Sequence, residues 1–118
     1  MEQAKGNKMN ELHLVIHKSM IEEELKSDLT PQGKLPNLQK VLDRINQVEA
    51  IEKNVKHVTY IRDKPLDHEG IHHITEKCKD YQNIVLYGIS TGVCLPFAKQ
   101  KLEDAGHTVM YDNIGVID

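Results

Sequence analysis

Tryptophan is missing from this 118-residue chain, and the aromatic complement is one Phe and four Tyr. That leaves little with which to build a base-stacking platform. There is no excess of positive charge either: the formal net charge is -3, so no basic footprint for nucleic acid exists. Two cysteines, Cys78 and Cys94, are too few for a disulfide framework, and no CxxC pair suggests zinc. No apolar run reaches the length of a membrane span. Residues 1–10 are polar and charged, without the hydrophobic stretch of a secretory signal. Repeats and low-complexity segments are absent as well. These absences leave a reduced, cytoplasmic setting, with no nucleic-acid or membrane partner expected.

What is present, 39% hydrophobic and 28% charged residues, suits an ordinary globular domain with a real core. Residues 1–10 read as a flexible tail and 11–118 as a single α/β domain. The run Leu12 to Ile16 (LHLVI) predicts a buried strand. Residues 18–34 read as a polar, acidic connection carrying Glu22, Glu23, Glu24 and Asp28, closing on the turn signal Thr30-Pro31-Gln32-Gly33. From Leu35 to Lys53 apolar residues recur at Leu35, Leu38, Val41, Leu42, Ile45, Val48 and Ile51, a helical spacing. Pro36 suits the first turn of that helix.

A second strand is expected over His57 to Ile61, followed by the breaker Arg62-Asp63-Lys64-Pro65. Glu69 to Lys79 predicts a helix with Ile71, Ile74 and Cys78 inward. Asn83 to Tyr87 is the most hydrophobic strand, Cys94 to Ala105 a helix closed by Gly106, and His107 to Tyr111 a fourth strand. This alternation predicts three layers, α-β-α, around a mostly parallel, doubly wound, Rossmann-like sheet. Ligands of such sheets bind at the carboxyl ends of the strands. The residues that follow the strands are therefore the candidates: His17, Asp63, Lys64, Ser90 to Cys94, and Asp112.

Among these, the turn Gly88-Ile89-Ser90-Thr91-Gly92-Val93-Cys94 stands out. Gly88 and Gly92 permit unusual backbone angles between strand and helix. Cys94 then opens a helix, where free N–H groups and the positive dipole end favour a thiolate. The same N–H groups could hold an oxyanion. Cys94 could equally be a small core residue, the commonest role of a free cysteine.

The segment Ile84 to Cys94 resembles the nucleophile region of the isochorismatase-like cysteine hydrolases, which include nicotinamidases. Gly106, the strand after it and Asp112 fall where that family has a glycine, a strand and an acidic residue. Leu14-Val15-Ile16-His17 resembles its first strand, Gly33-Lys34-Leu35-Pro36 its entry to a helix, and Val58 to Asp63 its second strand. The resemblance covers most of the chain from residue 12 onward, and only the cysteine turn is specific.

It implies a hydrolase of a small amide or related molecule, working through a thioester on Cys94. Gly88, Thr91, Gly92 and Val93 would shape the turn and its oxyanion site, with Asp63 and Asp112 lining the crevice. It also implies a homo-oligomer, a small-molecule ligand and no cofactor. The family's catalytic aspartate corresponds here to His17, which could activate a cysteine as a dyad or stand where the base has been lost. The family's lysine lies in a segment that is short here, and Lys64 is the only lysine in the link from Lys64 to His68. That segment also holds the metal ligands of nicotinamidases, so no metal is expected. His68, His72 and His73 cluster near one helix, and the i, i+4 pair His68/His72 has ligand spacing without a distant third ligand. The alternative to an active hydrolase is a catalytically impaired pseudoenzyme, a small-molecule-binding or oligomeric interaction protein on the same fold.

Overall fold

A strand covered on both faces reads as a near-continuous apolar run, and two segments do so. In the computed structural model, which describes residues 11–58, 71–89 and 94–117, these are β1 (Glu11–Ile16) and β3 (Asn83–Ile89). Every residue of each beyond the first is buried. They pair in parallel through the centre of a four-stranded sheet, with β2 (Val55–Val58) and β4 (Thr108–Ile117) at its edges. The order is β2-β1-β3-β4 and all three pairings are parallel. The fold is thus a mixed α/β architecture with helices on both sides of the sheet.

Four helices complete it: α1 (Lys18–Lys26), α2 (Leu35–Ile51), α3 (Ile71–Cys78) and α4 (Cys94–Asp104). The chain leaves β1 towards one edge and β3 towards the other. Right-handed crossovers then place the intervening helices on opposite faces. Alternate strand residues divide accordingly. Leu12, Leu14, Ile16, Ile84 and Leu86 pack with Ile74, Cys78, Leu95, Ala98 and Leu102 of α3 and α4. Val15, Val85, Tyr87 and Ile89 pack with Ile21 of α1 and with Leu38, Val41, Ile45 and Val48 of α2.

The α2 stripe follows the predicted spacing as far as Val48, and Ile51 at its end is exposed. Gly106 (φ +98°) closes α4 in a Schellman arrangement. There the His107 N–H donates to the Leu102 carbonyl and the Gly106 N–H to that of Glu103.

Three elements differ from the sequence expectation. Residues 18–26, read as part of a polar connection, form α1, which buries only Ile21 and rests Met20 and Leu25 against the core. Strand β2 begins at Val55 rather than His57, and the predicted positions 59–61 lie outside the described residues. Strand β4 does not stop at Tyr111 but resumes after an irregularity and reaches Ile117. The tail, 1–10, also lies outside the described residues. Among the described residues, no helix is long and apolar enough to cross a membrane.

Candidate functional site

Because β1 and β3 send the chain in opposite directions, their carboxyl ends form the switch point where ligands of open α/β sheets bind. The last pair there is Ile16 with Gly88. Gly88 has φ +122°, and a Cβ on it would lie 1.9 Å from the Ile16 carbonyl oxygen. Glycine therefore lets the two strand ends close together at the site. One step beyond the pair lies His17 on one side; on the other, Ile89 leads into the cysteine turn.

His17 is the only non-glycine residue with positive φ among the described residues (φ 59°, ψ 43°). Its N–H donates to the Val58 carbonyl at 2.9 Å, and its carbonyl accepts the Met20 N–H at 3.0 Å. The residue thus ends the sheet ladder and starts α1 within one left-handed step. Such backbone in a non-glycine residue costs of order 1–3 kcal/mol and persists where its surroundings impose it, commonly at functional sites. The ring is nearly sealed from solvent, and burial lowers its pKa below the ordinary histidine value. At neutral pH the imidazole is therefore the neutral, proton-accepting form.

That depression has a sign that can be measured. The folded state holds the His17 proton less tightly than the unfolded state does. Its contribution to stability is intact above the unfolded pKa of 6.5 and is lost as pH falls below it towards the folded value. His17→Asn tolerates left-handed backbone and does not titrate. Urea midpoints at pH 7.5 and pH 5 should show the native chain losing stability relative to this variant on acidification.

Cys94 is the first residue of α4, partly buried, and packs against the core shared by α3 and α4. Cys78 sits wholly inside that core, where burial pushes its thiol up to about 11. The two thiols thus occupy different environments, one inert in the core and one partly buried at a helix start.

The remaining predicted positions separate. Ser90, Thr91, Gly92 and Val93 of the turn, with Asp63, Lys64 and His68, lie outside the described residues, as do the side chains of His72 and His73. Asp112 accepts a two-point contact from Arg44 of α2, Nε to Oδ2 at 3.1 Å and Nη2 to Oδ1 at 3.0 Å. Its Oδ2 also accepts the N–H groups of Gly115 (2.8 Å) and Ile114 (3.3 Å). Burial alone would raise its pKa, but these donors outweigh it and hold the carboxyl below its usual range. Its carboxylate ties β4 to α2. Among the described residues, no group of three or more His, Cys, Asp and Glu is placed to hold a metal.

One buried polar pair escaped the sequence reading. His13, inside the apolar strand β1, meets the Tyr87 hydroxyl through Nδ1 at 2.7 Å, while its Nε2 lies 3.3 Å from Glu11 and 3.5 Å from Glu52. The signal was available, since a histidine between Leu12 and Leu14 in a strand covered on both faces needs a partner. Scans of this chain against protein-family models, curated proteins and solved structures return no match.

Proposed function

We propose that this chain is an isochorismatase-like cysteine hydrolase of a small amide or related acyl compound, with Cys94 as nucleophile and His17 as base. One observation carries the reading. A buried, neutral histidine is held in left-handed backbone at the end of β1, next to the strand whose turn leads to Cys94. Glycine or asparagine would take that backbone more easily, and neither could serve as a base.

In the proposed reaction His17 takes the Sγ proton as sulfur attacks the carbonyl carbon. Backbone N–H groups of the cysteine turn stabilise the oxyanion. Collapse forms a thioester and expels the amine, which leaves with the proton from His17. Water, deprotonated by the same imidazole, then cleaves the thioester, releasing the acid and restoring the thiol. The reading extends to a cytoplasmic homo-oligomer, since Met110 and Ile114 on edge strand β4 and Phe97 on α4 expose apolar surface.

Alkylation with iodoacetamide at pH 6.5, followed by peptide mass spectrometry, tests it. Cys94 in the folded chain should react roughly tenfold faster than Cys94 in the urea-unfolded chain, as an activated thiolate does. His17→Asn should abolish that advantage. A folded rate no higher than the unfolded one, or one indifferent to His17→Asn, would overturn the assignment.

A further inference from the structure

A second feature lies at the same carboxyl edge of the sheet, on the side of α1 and α2. There a cleft of about 170 Å³ is lined by Glu24 of α1, by Lys34, Asn37 and Leu38 around the start of α2, and by Ile89 and Ile117 from the ends of β3 and β4. Pockets that enclose a whole small ligand run to about 300–1,000 Å³. This one has room for one end of a molecule. Ile89 is the last residue of β3, from which the chain runs on towards Cys94.

The lining specifies the chemistry of that end. Leu38, Ile89 and Ile117 supply an apolar floor, and three polar side chains stand around it. Among the described residues, the Glu24 carboxylate, the Lys34 ammonium and the Asn37 carboxamide take part in no hydrogen bond or ion pair, with each other or with a neighbour. A ligand carrying one charge would find a partner in one of the two charged side chains and like charge in the other. A ligand carrying both signs finds a partner for each, with Asn37 able to donate and to accept.

We infer that the cleft binds the zwitterionic head of an α-amino acid whose side chain bears the amide, the ammonium towards Glu24 and the carboxylate towards Lys34. As a statement about substrate this rests on the hydrolase reading; as a binding site it stands apart from it. The test therefore uses Cys94→Ala protein with labelled Leu, Ile and Val methyl groups, titrated by NMR with L-glutamine and L-asparagine. At least one should shift the Leu38, Ile89 and Ile117 methyls saturably, while butyramide, which has the amide and lacks the charges, should not. Lys34→Met, at an exposed position, and Glu24→Gln, at a half-buried one, should each weaken the binding at least tenfold. No shift with either amino acid, equal shifts with butyramide, or indifference to both substitutions would overturn the site. Because Cys94 is absent from the titration, its outcome is independent of the alkylation result. A silent titration beside a reactive Cys94 removes the substrate class alone.

Discussion

Gly88→Ala should remove about 4 kcal/mol of stability, combining overpacking and backbone strain of about 1–3 kcal/mol each with little room for relaxation. That is a large share of what a domain has, since totals run to about 5–15 kcal/mol. The added Cβ would stand 1.9 Å from the Ile16 oxygen, 2.8 Å from its carbonyl carbon and 3.0 Å from its nitrogen. All three are backbone atoms of a central strand paired on both sides, so no rotamer change clears the way. The glycines elsewhere provide the controls. Gly106 has φ +98° but open space around its Cβ position, so Gly106→Ala isolates strain and should cost about 1 kcal/mol. Gly33 has neither positive φ nor a neighbour within 4 Å, so Gly33→Ala should be neutral or slightly stabilising. Urea unfolding of the three variants should rank them in that order. A Gly88→Ala midpoint near the native one would show that β1 and β3 do not approach as closely as described.

The second large effect is expected from Arg44→Met. The Asp112 side chain is only 14% exposed, and Arg44 is its sole cationic partner among the described residues. Losing one partner of a fully buried pair costs about 3–5 kcal/mol, and exposed pairs are worth about 0–1. Arg44 is 32% exposed and Asp112 keeps the Ile114 and Gly115 N–H groups, so about 2 kcal/mol at pH 7 lies between these limits. The loss should depend on acid. Asp112 in the native chain has a depressed pKa, so its contribution is present above the unfolded value of 3.8 and fades as pH falls through the lower folded value. The native chain and Arg44→Met should therefore converge in stability below about pH 4, as measured by urea midpoints across the acid range. A gap that stays constant to pH 2.5 would assign the loss to packing of the arginine stem instead.

Much of the fold was legible because buried strands and amphipathic helices write their periods directly into the chain. LHLVI and NIVLY read as covered strands and form them, and the 35–51 stripe announced α2. Helix α1 was not legible because it lies at the margin of the sheet and needs only Ile21 fully buried, with Met20 and Leu25 beside it. Three apolar positions in nine residues set no period against Glu22, Glu23 and Glu24. The position of His17 followed from the end of β1, but its left-handed backbone did not, since no local residue pattern demands it. The Glu24–Lys34 cleft was invisible for a different reason: Glu24 and Lys34 are ten residues apart in sequence, and two of its three apolar side chains, Ile89 and Ile117, come from strand ends far downstream.

The sequence expectation ends the fourth strand at Tyr111, just before Asp112 and Asn113. The structure uses those residues as a detour: opposite the single residue Tyr87, β4 spends the four residues 112–115 before pairing resumes at Gly88 with Val116. Asp112 holds the detour by accepting two of its N–H groups, and Gly115 lies where a Cβ would be 2.5 Å from the Tyr87 ring.

The detour also resets the phase of the strand. Val109 and Tyr111 face α3 and α4 before it, whereas Val116 takes that side after it and Ile117 turns to α2 and the cleft. An odd surplus of residues in the loop is what exchanges the two faces. Related chains should therefore vary in length between Tyr111 and Val116 by two residues more readily than by one. A single insertion there would send Ile117 to the wrong layer and leave the floor of the cleft without one of its three apolar side chains.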